Sequence, residues 1–379
     1  MHEPQEQPGW LEAELADDIG AFIEATCPAL GDEQQERAAW GGGVFNALAL
    51  RLFAYQCEAN PVYADWCQRR GVRPDRITNW REIPAVPLSE LRYVSVSTGV
   101  GTGAAALPLR QHQLYLYLTA LMPNLHAHLF PDMAESQRLH MVTVAQRLDP
   151  NPEAARVFSA AAIKYALAGS GSFTDNYIEA MKCLIDGESS GERICIMGGA
   201  KAIIMLAEYC AMAGRRFHLN PRSRLLYSCS DEQERAKMYA RVERVFGISR
   251  AWCVRLYSPA PGGSQFYDSG LRQRISQYEV TSEADYLQGP PWTRLVVRNP
   301  NGGTAPLGSS GQLCVCDLSN LGALMMVQTN GEGRMVTATV GQRERFALAL
   351  VAGAGSPTAL RLGSGPLRLQ SARHHLTQG

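Results

Sequence analysis

The sequence predicts an α/β fold in which a largely parallel sheet, covered by helices, passes into an antiparallel portion. Stretches of strand and helix character alternate between about residues 174 and 257, and three later strand-like segments are separated by tight turns. An apolar fraction of 46% in a chain of 379 residues is ample for a buried core.

In chain order, Leu11–Leu30 and Ala38–Glu58 carry apolar residues at helical spacing, and Asn60-Pro61 stops the second helix. Val62–Arg70 is a short helix ended by Gly71, and Ile83-Pro-Ala-Val-Pro87 reads as extended chain. Tyr93–Ser97 has strand character and leads into a glycine-rich turn, after which Gln111–Leu129 is helical. The alternating region follows: a helix near Thr174–Leu184, a strand Arg193–Met197, a helix Ala200–Ala213, a strand Arg224–Ser228, a helix Glu232–Phe246 and a strand Ala251–Tyr257. Trp292–Arg298, Gly311–Asp317 and Leu324–Thr329, with turns such as Asn299-Pro-Asn-Gly-Gly303 between them, read as antiparallel β. The last forty residues are rich in Gly, Ser and Pro and give the least definite signal.

Lysine plus arginine equals aspartate plus glutamate, 36 against 36, and no basic run interleaved with aromatics occurs, which argues against a nucleic-acid partner. The start of the chain is acidic and lacks the pattern of a secretory leader, and no apolar stretch is long enough to span a bilayer. The ten cysteines sit mostly among apolar neighbours without paired metal spacing, so a reduced cytoplasmic protein is expected. Cys314-Val-Cys316 places two thiols on one strand face, but a zinc site needs a second pair, and packing is the favoured reading. No metal is expected.

The turn formed by Ser97, Thr98, Gly99, Gly101, Thr102 and Gly103 lies between strand and helix, where backbone N–H groups can face an anion. A dinucleotide site would want an acidic residue about twenty positions on, and Leu118–Leu121 stands there. A plain flexible turn and a diverged phosphate loop fit equally well. His126 and His128 share a helix at a spacing of two and so occupy different faces, and a lone histidine such as His140 is more often structural than catalytic. Ser170 and Ser172 do not match a nucleophile elbow and read as a loop.

Phe53–Arg92, with Asn60-Pro-x-Tyr63, the Trp80 segment and Ile83–Pro87, resembles the LuxE-type acyl-protein synthetases of the adenylate-forming ligase superfamily. Further words follow in order: Leu139-His-Met141, Ile196–Leu219, Ser264-Gln-Phe-Tyr-Asp268, Gly289-Pro-Pro-Trp-Thr-Arg294, Asp317-Leu-Ser-Asn-Leu321 and Val327-Gln-Thr329. The resemblance implies the α/β large domain of an adenylate-forming ligase over residues 61–334, after a helical region 1–60. Residues 335–379 are then a shortened C-terminal region in place of a full mobile domain. It also implies an acyl pocket near Tyr257, Ser264 and Gln265, with His140, Gly198 and Gly199 as further pocket or oxyanion candidates.

The departures fall on chemistry. The family word Tyr-Gly-Met-Thr-Glu-Leu-Ser-Ser-Gln-Phe-Tyr-Asp lies on Tyr257–Asp268 without gaps, and its Thr-Glu, which serves phosphate and magnesium, falls on Ala260 and Pro261. The ribose-binding Asp of Gln-Thr-Glu-Asp-Leu-Gly falls on Gly331, with Glu332 and Glu279 as conceivable stand-ins. The acyl-accepting cysteine expected near the C-terminus has no candidate after Cys316. A non-adenylating homologue is therefore expected, one that binds an acyl or aryl carboxylate derivative or holds a partner enzyme or carrier protein, with no cofactor. The alternatives are an ATP-independent acyltransferase between thioesters and an active ligase with substituted residues, which alone would use ATP and magnesium. Trp10, Phe22 and Trp40 are candidate partner anchors, or equally the core of the N-terminal helices.

Overall fold

The computed structural model describes residues 8–27, 42–91, 111–145, 152–174, 176–229, 231–260, 262–275, 287–340 and 343–350. Ser97–Gly103, Pro261 and Glu279 lie outside these residues, as do Tyr93–Ser97, Trp40 and the end of the chain.

Three helices open the chain: α1 (Pro8–Thr26), α2 (Gly42–Ala59) and α3 (Pro61–Gln68). The break between the last two lies at the expected dipeptide. The Asn60 side chain accepts from the Tyr63 amide at 3.1 Å while Pro61, which has no N–H to satisfy, starts the helix. A two-residue strand β1 (Val86–Pro87) and helix α4 (Gln111–Leu129) follow.

The parallel unit comprises β2 (His140–Ala145), α5 (Pro152–Tyr165), β3 (Gly171–Thr174), α6 (Tyr177–Ser190), β4 (Ile194–Gly199), α7 (Ala200–Met212), β5 (Arg224–Ser228), α8 (Glu232–Phe246) and β6 (Cys253–Tyr257). Its strand order is β3-β2-β4-β5-β6, all parallel. Because β2 sends its first crossover to one side and β4 continues on the other, the order reverses between β2 and β4. Helices α4 and α5 pack on one face, through Tyr117, Leu121, Leu125, Val157 and Phe158, while α6, α7 and α8 cover the other.

Beyond β6 the sheet turns antiparallel through β7 (Phe266–Asp268), helix α9 (Gly270–Ile275), β8 (Leu287–Gln288), β9 (Thr293–Arg298), β10 (Ser310–Asp317), β11 (Met326–Val340) and β12 (Arg343–Leu350). The path β6-β7-β8-β12-β11-β10-β9 continues the same sheet, twelve-stranded among the described residues once β1 is counted beside β11. Both the parallel and the antiparallel halves thus follow the sequence reading. The segment around Ser170 and Ser172 differs from it: Gly169 makes a turn at φ +85°, and Gly171–Thr174 pairs as an edge strand with β2.

The N-terminal helices pack against the antiparallel half in a cluster containing Ile19, Phe45, Phe53, Tyr63, Trp66, Cys314, Cys316 and Val327. Phe22 is half-buried against that cluster, the packing role rather than an exposed anchor. Cys314 and Cys316 are both buried there, and among the described residues no group of His, Cys, Asp and Glu is arranged to hold a metal. Helix α4 bridges the halves, since Leu116 and Ala120 face this cluster while Tyr117 and Leu121 face the parallel sheet. Among the described residues, no helix is long and apolar enough to cross a membrane.

Candidate functional site

In open sheets of this kind ligands sit outside the carboxyl ends of the parallel strands. At that edge Gly198 and Gly199 close β4, Ser228 closes β5 and Tyr257 closes β6. A Cβ on Gly198 would meet the Val144 carbonyl at 2.5 Å, so this glycine lets β2 and β4 approach. Gly198 is in register with Val144 on one side and Tyr227 on the other, and Gly199 is the N-cap of α7. His140 opens β2 at the opposite edge, 3.5 Å from both Ser190 Oγ and the Glu192 carboxylate. The structure therefore brings the two glycines and Tyr257 to one edge and leaves His140 at the other.

Ser264 belongs to a buried knot. Its amide donates to Asp317 Oδ2, its hydroxyl donates to Asp317 Oδ1 at 3.1 Å and lies 3.0 Å from Ser319 Oγ, and it accepts from Trp292 Nε1 at 2.9 Å. Ser319 adds its amide at 2.9 Å and its hydroxyl at 2.7 Å to Asp317 Oδ1. Burial pushes the Asp317 carboxyl above the usual carboxylate range, although each of these donors pulls it down. Ser264 is thus committed to holding the β6–β7 loop on the end of β10. Gln265 is also engaged, its Nε2 donating to the Gly263 carbonyl at 2.8 Å and its own carbonyl accepting from Asn124 Nδ2 at 2.8 Å.

Tyr257 meets the β11 segment. Its hydroxyl is hydrogen-bonded to Thr329, and burial pushes its pKa up to about 12. The Gly331 amide donates to Thr329 Oγ1 at 3.1 Å, and its carbonyl accepts from Gln312 Nε2 at 3.0 Å. Glu332 is exposed and in register with Gln312. Ala260 is buried in the apolar cluster of the N-terminal helices. The described positions at which the resemblance puts nucleotide and magnesium ligands, Ala260 and Gly331, offer no side-chain oxygen and do not fit those groups.

Buried polar side chains collect where α4 packs against β7, with Ser258 at the end of β6. Tyr117, Asn124, His128, Ser258 and Tyr267 are 6%, 1%, 0%, 4% and 0% exposed, within an otherwise apolar face. Tyr117 OH, Asn124 Oδ1, His128 Nε2, Ser258 Oγ and Tyr267 OH all lack a hydrogen-bond partner among the described residues. Such groups carry a desolvation penalty of roughly 1–3 kcal/mol each unless a ligand or water meets them, which makes a cluster of them a marker for a binding site. Tyr117, Asn124 and His128 are spaced seven and four apart on α4, so they form one stripe. The His128 ring stacks on Tyr267 at 5.3 Å, and Tyr267 sits opposite Leu256 on β6. Ser258 follows β6 in step with Val254 and Leu256, which face the same core. At the rim, burial raises the Glu153 carboxyl pKa, opposed by Arg156 at 3.2 Å and a hydrogen bond from the Gly262 amide.

Four of these five residues lie outside the candidates the sequence suggests, and the fifth, Tyr267, belongs to the matched Ser264–Asp268 word. The available signal was the polar stripe Tyr117, Asn124 and His128 within an apolar helix face. It gains meaning only once the β6–β7 hairpin is folded beneath it.

No protein-family model matches the sequence. Nor does any curated protein match it significantly. Among solved structures, 2-hydroxyisobutyryl-CoA ligase in a postadenylation state with 2-HIB-AMP is similar at TM-score 0.56 and 13% identity. That similarity covers 80% of this chain and 66% of the ligase. An open conformation of the same ligase, in complex with 2-HIB-AMP and CoA, gives TM-score 0.57 and 13% identity over 80% of this chain and 73% of that one. The chain thus spans about two thirds to three quarters of the ligase's length. The comparison fixes the architecture, and the chain has the fold of the adenylate-forming ligases.

Proposed function

We propose that the protein binds an acyl or aryl carboxylate derivative, such as an acyl thioester, without adenylating it. The carrying observation is a contrast between two sets of residues. The positions that the resemblance assigns to nucleotide ligands hold a buried alanine and a glycine, while five buried polar groups have no hydrogen-bond partner among the described residues. The ligases that share the fold were captured with 2-HIB-AMP and CoA, which supports a carboxylate derivative as the ligand class. Within this fold, the scattered sequence words make the LuxE-type proteins the relatives we favour, with a binding or scaffold role in an acyl-transfer pathway.

Two titrations test the reading. An acyl-coenzyme A should raise the melting temperature by mass action, and ATP with magnesium should give no binding heat. Losing two or three charge-assisted contacts, at roughly 1.5–3 kcal/mol each, weakens a nucleotide by several orders of magnitude. Micromolar ATP affinity would overturn the non-adenylating reading, and no shift with any acid or thioester would overturn the acyl site.

A further inference from the structure

The polar cluster also carries chemical information about the acyl group, on the premise that an acyl derivative binds there. Asn124 Nδ2 donates to the Gln265 carbonyl at 2.8 Å, which fixes the amide orientation and leaves Oδ1 as an acceptor. His128 Nδ1 lies 2.9 Å from the Asn124 carbonyl. A carbonyl only accepts, so the ring proton is on Nδ1 and the bare Nε2 is a second acceptor. Burial, aided by the positive charge of Arg272, pushes the His128 pKa down to about 3, so the ring is neutral at physiological pH. The His128 ring stacks on Tyr267 at 5.3 Å, and Tyr117 interacts with Tyr267 in turn; both tyrosine hydroxyls can donate or accept.

An alkyl chain satisfies none of these groups. A carboxylate gives them no donor, and an ammonium ion is disfavoured near Arg272. Glu153, the nearby carboxylate, is already paired with Arg156 at 3.2 Å. A neutral hydroxyl meets both kinds of group at once: it donates to Asn124 Oδ1 or His128 Nε2 and accepts from a tyrosine. We propose that the bound acyl group is hydroxylated, recognised by Asn124, His128 and Tyr267, with Tyr117 at the far end of the same stripe.

The test is calorimetric titration of the full chain with 2- and 3-hydroxybutyryl-coenzyme A, butyryl-coenzyme A and palmitoyl-coenzyme A. One of the hydroxybutyryl thioesters should bind about 10-fold or more tighter than butyryl-coenzyme A, the return on making two otherwise missing hydrogen bonds. Tyr267→Phe and Tyr117→Phe remove only a hydroxyl, and at least one should reduce the hydroxybutyryl-to-butyryl affinity ratio several-fold. Equal binding of the hydroxylated and plain thioesters, or tighter binding of palmitoyl-coenzyme A, overturns the hydroxyl inference but leaves an acyl site. A preference unchanged in both variants overturns the assignment to these side chains. Failure of all the thioesters to bind overturns the acyl reading itself.

Discussion

Replacing Asp317 tests how the β6–β7 loop is held over the candidate site. Asp317→Ala removes the acceptor for the amides of Ser264 and Ser319 and for both serine hydroxyls. The hydroxyls still have each other at 3.0 Å, so the main loss is two buried amides, about 1–3 kcal/mol apiece. Removing a fully buried carboxylate recovers part of its desolvation, and the net destabilisation comes to about 3 kcal/mol. Asp317→Asn separates the contributions. An amide oxygen at the Oδ1 position keeps the Ser319 contacts, while the NH2 group faces the Ser264 amide, donor against donor. One orphaned donor corresponds to about 1–2 kcal/mol.

Urea unfolding followed by tryptophan fluorescence is a suitable assay, because Trp292 is fully buried and donates to Ser264 Oγ at 2.9 Å. The expected order is wild type, then Asn, then Ala. An alanine variant within about 0.5 kcal/mol of wild type, the range of ordinary surface changes, would refute the argument. So would an asparagine variant less stable than the alanine one.

Other perturbations probe the frame. Asp132→Ala should cost about 3–5 kcal/mol, because it strands the fully buried Arg224 guanidinium, which now donates to Asp132 at 2.9 and 3.2 Å. Burial raises the Asp132 carboxyl pKa, but Arg224 and Arg193 outweigh it and hold the pKa below the ordinary value. A lowered folded pKa gives stability present above the unfolded pKa of about 4 and lost as pH falls through the folded value. Thermal melts at pH 7 and pH 2 should therefore show the difference between wild type and Asp132→Ala shrinking on acidification. Gly198→Ala forces its Cβ to within 2.5 Å of the Val144 carbonyl, and a loss of about 2 kcal/mol or more, read as a lower melting temperature, is expected as β2 and β4 separate. Gln56→Ala removes donation to the Asn320 and Ala323 carbonyls and the acceptor of the Met325 amide, and chemical denaturation should show a loss of about 2–3 kcal/mol.

Much of the frame was legible because period and punctuation agreed. Helix α4 runs Gln111–Leu129 and α8 runs Glu232–Phe246, both as read from the sequence, with Asp231 capping α8 through the Glu234 amide and Gly247 ending it at φ 70°. The unit β2-α5-β3 was not legible in the same way. Gly171–Thr174 is a short edge strand with a glycine at its start, and it is a strand only because β2 offers it a partner, a contact no local pattern encodes. The same reason hid the polar cluster. Tyr267 is more than a hundred positions from Tyr117, Asn124 and His128, and folding brings it against them.

The matched words deserve a physical rather than a chemical explanation, and the structure supplies one. Ser264 from one word, Trp292 from the second, and Asp317, Ser319 and Asn320 from the third meet in a single hydrogen-bonded knot. Gln56, from the earliest word, reaches the same loop through the Asn320 and Ala323 carbonyls. A buried network of this kind is destabilising when half satisfied, so its members are expected to persist or be lost as a set, whatever the bound ligand. Words that survive through such a knot report the architecture and are silent about the reaction. The groups on which the proposed ligand reading rests lie elsewhere: Tyr117, Asn124 and His128 stand outside the matched words and take no part in the knot. At Ser258 the family word has a glycine, so the change there adds a buried hydroxyl rather than removing one. Under the proposed reading, a missing side-chain oxygen at Ala260 and an added one two residues earlier would go together, and Ser258→Gly should then leave the absence of ATP binding unchanged in calorimetry.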